Sequence, residues 1–370
     1  MFHLWTLAPA LYVSLFFIRR LTLSFARKIG FVVLVILACE FHLISHLVYG
    51  NMFSPEWPRP VMIAQGWLFV SAVLFACLLL FRDVAALLAR WLFRCRIPFL
   101  PSAMPLLILA LGVSAFGVMQ AIRVPKVRTV TITIPNLPSA FDGTRIVQLA
   151  DLHSSRLHPR EWVEQVVNKA NALQPDLIVL TGDMFDGYVS QRYADVEPLR
   201  YLRARDGIYA ITGNHEYYFK YRPWMSAWES LNIPFLLNAH VCIERDGQYL
   251  VLAGVTDEAA IKEGEVGPDI ARALEGTQPS DTIILLDHRP GNALVNARYG
   301  VNLQLSGHTH GGMIRGLDIA IKPANNGFIS GLYRVGEMNL YVSNGAGLWN
   351  GFPVRLGRPA EITHIVLNKG

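Results

Sequence analysis

Five short blocks of residues able to ligate a metal follow one another along the second half of the chain: Asp151-Leu152-His153, Gly182-Asp183, Gly213-Asn214-His215-Glu216, Asp287-His288 and Gly307-His308-Thr309-His310. Each supplies hard oxygen or imidazole nitrogen donors, a set suited to divalent ions such as Mn, Fe, Zn or Ni. Most blocks sit where an apolar run of strand type ends in a turn, so their side chains could converge on one edge of a sheet. That pattern predicts a site for two metals. Other chemistries lack their residues. The glycines Gly345, Gly347 and Gly351 have no following Gly-Lys-Ser/Thr, so no phosphate loop forms, and no Gly-x-Ser-x-Gly elbow occurs.

The elements that must carry these blocks read as α/β. Thr144 to Ala150 and Asp176 to Leu180 are strand candidates, with an amphipathic helix between them at Glu161 to Ala172. Further strands are expected at Ile208 to Thr212, Tyr249 to Val255, Thr282 to Leu286, Val301 to Leu305, Asn339 to Ser343 and Glu361 to Leu367. Strands outnumber helices, which predicts two mixed sheets packed together with helices outside.

The first third of the chain is different. Hydrophobic residues make up 52% of the whole, and the excess lies before residue 124. Residues 1–128 hold 12 Lys and Arg against three acids, while the remainder holds 21 basic and 25 acidic residues, so the overall charge of +5 hides a mildly acidic C-terminal part. Positive charge beside apolar segments marks membrane orientation more than nucleic acid, and no nucleic-acid partner is expected. Four apolar segments stand out, Phe2 to Ile18, Ile29 to Tyr49, Val61 to Phe81 and Met104 to Ile122, and ~17–25 residues suffice to span a bilayer as helix. The charges of the first segment follow its apolar core, so it does not read as a signal peptide. The expected organisation is a four-helix transmembrane region at 1–123, a linker and first strand at 124–143, and an α/β domain at 144–370. Arg19, Arg20, Arg27 and Lys28, then Arg82, Arg90, Arg94 and Arg96, place two loops in the cytoplasm, and the C-terminal domain in the periplasm or outside the cell, as part of a multi-pass inner-membrane protein. Cys39, Cys77, Cys95 and Cys242 form no disulfide framework.

The order Asp-x-His, Gly-Asp, Gly-Asn-His-Glu, a lone His and Gly-His-Thr-His resembles the calcineurin-like metallophosphoesterase superfamily. The resemblance runs from about Thr144 to the C-terminus. The Gly-His-Thr-His-Gly-Gly run and the tail with Tyr341-Val342-Ser343-Asn344-Gly345, Pro353 and Arg355 are similar to its membrane-associated phosphodiesterase branch. Met313 departs from that branch, which usually has Gln there. The resemblance implies that Asp151, His153 and His310 hold one metal, that Asn214, His288 and His308 hold a second, and that Asp183 bridges them. It also implies that His215 contacts the phosphate or protonates the leaving oxygen. Two such ions roughly 3.5–4 Å apart can share a hydroxide that attacks phosphorus in line.

The expected function is therefore a membrane-anchored dimetal phosphoesterase, manganese being the first choice of ion, acting on a phosphodiester or phosphoanhydride of a lipid or lipid-linked substrate. The alternative is a membrane transporter or sensor with a regulatory metallophosphoesterase domain. Several residues are set aside. Asp186 reads as a turn cap, Glu216 as a residue that orients its loop, and His158, His240 and His364 as surface or core histidines. His42 and His46, four residues apart near Glu40, read as groups paired within the apolar bundle or lying at its interface.

Overall fold

The computed structural model describes residues 2–93 and 102–370. The chain divides into two compact units, one of Met1–Ala121 with Trp349–Val354 and one of Ile122–Leu348 with Arg355–Gly370.

The first unit is helical: α1 (Phe2–Phe16), α2 (Phe25–Cys39), α3 (Phe41–Tyr49), α4 (Arg59–Phe93) and α5 (Ala103–Ile122). Among the described residues, two helices, α4 and α5, are long and apolar enough to cross a membrane, and three spans result if α2 and α3, bent by 62°, count as one. The expected count of four differs at α1. Its 15 residues rise about 22 Å, short of the ~30 Å hydrocarbon core. Arg82 and Arg90 were expected in a loop, yet both lie within α4. Arg82 stays helical beside Asp83, its ion-pair partner at 2.7 Å. Arg94, Cys95 and Arg96 fall outside the described residues. His42 is buried, and its Nε2 lies 2.7 Å from the carbonyl oxygen of Gly351. Phe69 packs edge-on against Phe352 in the same unit.

The second unit carries eleven strands, β1 (Lys126–Ile134), β2 (Arg145–Leu149), β3 (Leu177–Thr181), β4 (Ile208–Ile211), β5 (Ala239–Arg245), β6 (Gln248–Gly254), β7 (Ile283–Leu286), β8 (Leu303–Ser306), β9 (Gly331–Val335), β10 (Met338–Val342) and β11 (Glu361–Lys369). They form two mixed sheets, in the orders β1-β11-β2-β3-β4 and β5-β6-β7-β8-β10-β9. Side chains alternate between faces along each strand. Ile284, Leu286, Leu303 and Leu305 thus enter a central core with Ile146, Val179, Ile211 and Ile365 from the first sheet. Ile283, Leu285, Val251 and Ala253 face a second cluster with Ala273 and Ala293. Helix α6 (Arg160–Ala172), between β2 and β3, buries Trp162, Val163, Val166 and Val167 on one stripe. This is the expected α/β architecture of two mixed sheets.

Strand direction decides where the loops gather. Strands β2, β3 and β4 run parallel, and so do β7, β8 and β10. Parallel strands bring their C-terminal ends to one edge, where loops from different strands can share a site.

Candidate metal centre

Every block found in the sequence leaves the C-terminal end of one of these strands. Asp151 and His153 follow β2, Asp183 follows β3, Asn214 and His215 follow β4, His288 follows β7, and His308 and His310 follow β8. All are buried except His308, which is partly so. Five of them, Asp151, His153, Asp183, His308 and His310, hold positive φ between 44° and 69°. That region is uncommon for residues other than glycine and clusters at functional sites.

The side chains form contiguous groups. Asp151, His153 and His310 come together, as do Asp183, His288 and His308, with ligand atoms in each group within 4.8 Å of one another. His153 Nε2 and His310 Nε2 are 3.3 Å apart, and His288 Nε2 and His308 Nδ1 are 3.2 Å apart. Asp183 lies between the groups, its Oδ2 3.3 Å from His288 Nε2 and 3.7 Å from His153 Nε2. Imidazole nitrogens drawn this close, with a carboxylate among them, are what a cation would hold together. Asn214 supports the same reading: its Oδ1 is buried and has no hydrogen-bond partner, a costly state unless a further group takes that lone pair. The residues present thus fit divalent ions.

Close packing explains two glycines. A Cβ on Gly307 would overlap Asp151 Oδ2, and one on Gly213 would overlap Asp183 Oδ1. Backbone donors complete the fixing. His308 N donates to Asp151 at 3.0 Å, and His215 N donates to Asp183 Oδ1 at 2.8 Å. Glu216, fully buried, accepts from the backbone N–H groups of Asp183 (2.9 Å), Met184 (2.8 Å) and Gly213 (2.6 Å). It therefore ties the β3 and β4 loops together without facing the ligands.

Asp186 corrects the sequence reading. It is no turn cap: it is fully buried, and one oxygen, Oδ1, accepts from His153 Nδ1 at 3.0 Å and His215 Nδ1 at 2.6 Å. Both imidazoles thereby turn Nε2 toward Asp183. Asp287 turns the other way, accepting from Asn296 Nδ2 at 2.8 Å and from the N–H of Arg289 at 3.1 Å. It holds the His288 loop and is not part of the ligand cluster. Arg355, also fully buried, donates to the carbonyls of His310 (3.1 Å), Asn344 (2.8 Å) and Gly347 (2.7 Å). It joins the His310 turn to the loop after β10, whose Gly345 packs on Asp151.

Electrostatics follow from burial among opposed charges. Burial and the cationic neighbours hold His308 and His310 well below the usual imidazole range, leaving them unprotonated at neutral pH. Burial pushes Asp151 up to about 6, with repulsion from Asp183 adding to it. Burial opposes the charged form of His215, but the carboxylates of Asp183 and Asp186 overcome this and raise it to about 9. Asp186 itself is drawn down to about 2 against its burial by His153 and His215.

Two mixed sheets thus carry loops whose side chains could hold divalent ions at the C-terminal ends of parallel strands. The sequence profile of calcineurin-like phosphoesterases matches residues 144–312. A transmembrane protein with metallophosphoesterase domain from Bos taurus is 38% identical over 266 residues, covering 69% of this chain and 60% of that protein. An uncharacterized metallophosphoesterase of Campylobacter jejuni is 32% identical, covering 71% and 68%. One of Bacillus subtilis is also 32% identical, covering 68% and 89%. The chain belongs to the calcineurin-like metallophosphoesterase family. It matches about three fifths of the length of the cattle relative.

Proposed function

We propose that the chain is a membrane-anchored dimetal phosphoesterase. Asp151, His153 and His310 hold one ion, Asn214, His288 and His308 the other, and Asp183 lies between them. The observation that carries this is the convergence of the two His-rich groups on Asp183, with the Asn214 oxygen beside them lacking a partner. When bound, two divalent ions supply a nucleophilic water at neutral pH and neutralise charge on the phosphoryl oxygens. The protein's own part is positional. Asp186 holds His215 with Nε2 toward the cluster, and the raised pKa keeps that imidazole protonated at neutral pH. His215 can then donate a proton to the leaving oxygen.

Manganese is the proposed ion, and a lipid or lipid-linked phosphodiester or phosphoanhydride the proposed substrate class. Support for the lipid comes from the apolar helices on the same chain, α4 and α5 above all. The basic residues between α1 and α2, Arg19, Arg20, Arg27 and Lys28, support a multi-pass arrangement with the 144–370 domain outside the cytoplasm. The test is hydrolysis of bis-p-nitrophenyl phosphate by the detergent-solubilised full chain with manganese, beside Asp183→Ala. Turnover in the wild type alone supports the enzyme. No turnover with any of several divalent ions refutes it and favours a membrane unit with a regulatory domain. Turnover of soluble nucleotides with none of any phospholipid or lipid-linked pyrophosphate refutes the lipid assignment only.

A further inference from the structure

Arg289 follows His288 at the end of β7, and nothing in its sequence context singles it out. Its guanidinium is clamped at two points by the buried carboxylate of Asp257: Nε donates to Oδ2 at 2.7 Å, and one terminal nitrogen donates to Oδ1 at 3.0 Å. Such a clamp fixes the plane of the fork. The other terminal nitrogen lies 3.4 Å from His308 Nε2. His308 Nδ1 is turned toward His288, on the side of the ligand cluster. The Asp257 clamp thus holds a permanent cation beside the ligand cluster, where an anionic oxygen bound at that cluster would meet it.

Beyond Arg289 lies a cavity of about 540 Å³, lined by Tyr218, Glu258, Lys262 and Arg289 among others. Tyr218 belongs to the short helix His215–Tyr218 that starts at the proposed proton donor. Arg289 is thus a wall common to the ligand cluster and the cavity. Its wall mixes the carboxylates of Glu258 and Glu263, the Lys262 ammonium and the Tyr218 phenol with Ala259, Ile261 and Pro268, which suits a small substituent bearing hydroxyl groups on a carbon frame.

We infer that Arg289 is a substrate-contacting residue that holds an oxygen of the phosphoryl group, while the cavity beside it receives a polar substituent esterified to that phosphate. This rests on the dimetal phosphoesterase reading. Asp257 is then a positioning residue that aims the guanidinium. Arginine suits the task because its charge is permanent and its fork keeps one edge for the clamp and another for the oxygen.

The test is calorimetric titration of inorganic phosphate into the manganese-loaded full chain, beside steady-state kinetics with bis-p-nitrophenyl phosphate. Arg289→Ala is expected to weaken phosphate binding by about tenfold to a hundredfold, the range of one charge-assisted contact. KM should rise with manganese stoichiometry retained, and Arg289→Lys should recover part of the loss. A residue that merely supports the fold would lower metal content or kcat and leave the phosphate affinity of loaded protein as in the wild type, which would overturn the assignment. If the alanine variant does not fold, the lysine variant decides: unchanged phosphate affinity overturns the inference, and weakened affinity at full metal loading supports it. Glycerol 3-phosphate, which adds a polar substituent, should bind more tightly than inorganic phosphate, and equal affinity would remove the cavity from the site. A wild type without hydrolysis refutes the phosphoesterase reading itself. An active wild type whose two variants bind phosphate equally well overturns only the role of Arg289.

Discussion

Replacing Asp186 by Asn tests the centre most directly, because the side chain stays the same size and only its charge and one acceptor change. Asp186 Oδ1 accepts from His153 and His215 together. An amide in its place has one oxygen and one donor nitrogen, so whichever way it turns, the charge assistance to both rings is gone. A charge-assisted hydrogen bond contributes about 1.5–3 kcal/mol, equivalent to roughly 10- to 150-fold. That agrees with the 10- to 100-fold commonly lost when a partner of a metal-ligating histidine is changed. Asp186→Asn should therefore lower kcat/KM for bis-p-nitrophenyl phosphate by about one to two orders of magnitude. The pH profile should move as well. His215 has a folded pKa raised to about 9, so its proton is present below that pH and is lost as pH rises through it. Activity that needs the proton falls on the alkaline side, and removing one of the two named carboxylates moves that limb to lower pH. The assay is kcat/KM across neutral to alkaline pH, with manganese content measured on the same samples. A variant within about twofold of wild type, its alkaline limb unmoved, would refute the role of Asp186.

The same geometry sets three further expectations. Asp151 has a pKa raised to about 6 by burial, and a metal ligand must be ionised, so manganese affinity should fall as pH drops through about 6; titration of the metal-free chain at several pH values checks this. Gly307→Ala would press a methyl on Asp151 Oδ2 and should cost about 1–3 kcal/mol, seen as a lower Tm together with reduced manganese content. Glu216→Gln would set an amide N–H against one of three backbone donors, with a loss of about 1.5–3 kcal/mol in thermal or urea unfolding.

Legibility in the sequence depends on what each residue shows locally. Strands β2, β3, β6 and β7 lie within two residues of their expected bounds, because runs such as Leu177-Ile178-Val179-Leu180 are buried on both faces and bear a strong pattern. Strands β5 and β9 gave no comparable signal, being edge strands with largely exposed faces and little apolar alternation. The ligand blocks were legible because each pairs a glycine or turn with donors in a short motif. Asp186 and Arg289 were not, since their roles arise only when the β2, β3, β4 and β7 loops meet. Asp287 stands beside His288 in the same block, and Asn296 holds its carboxylate away from the cluster, consistent with the lone-His reading of that block. In the helical unit, composition marked the apolar segments but not their ends, so Arg82 lies in the middle of helix α4 and not after it.

The backbone of the centre bears on why so many polar groups are spent there. Five of its residues other than glycine hold left-handed φ, a state that costs on the order of 1–3 kcal/mol each. Such loops persist only where neighbours over-determine them. Here Asp151 N donates to Gly182 O and His153 N to Asp183 O, both at 3.0 Å, stitching the β2 loop to the β3 loop. Glu216 fixes the β3 loop from the β4 side, and Arg355 fixes the His310 turn through its carbonyl. The turns at Asp183 and His310 are thus held by buried charges, Glu216 and Arg355, that are not among the proposed ligands, while those at Asp151 and His153 are held by backbone bonds and that at His308 by Asp151 itself. Removing one of those outer charges should then loosen several ligands at once, whereas removing a single ligand leaves the others in place.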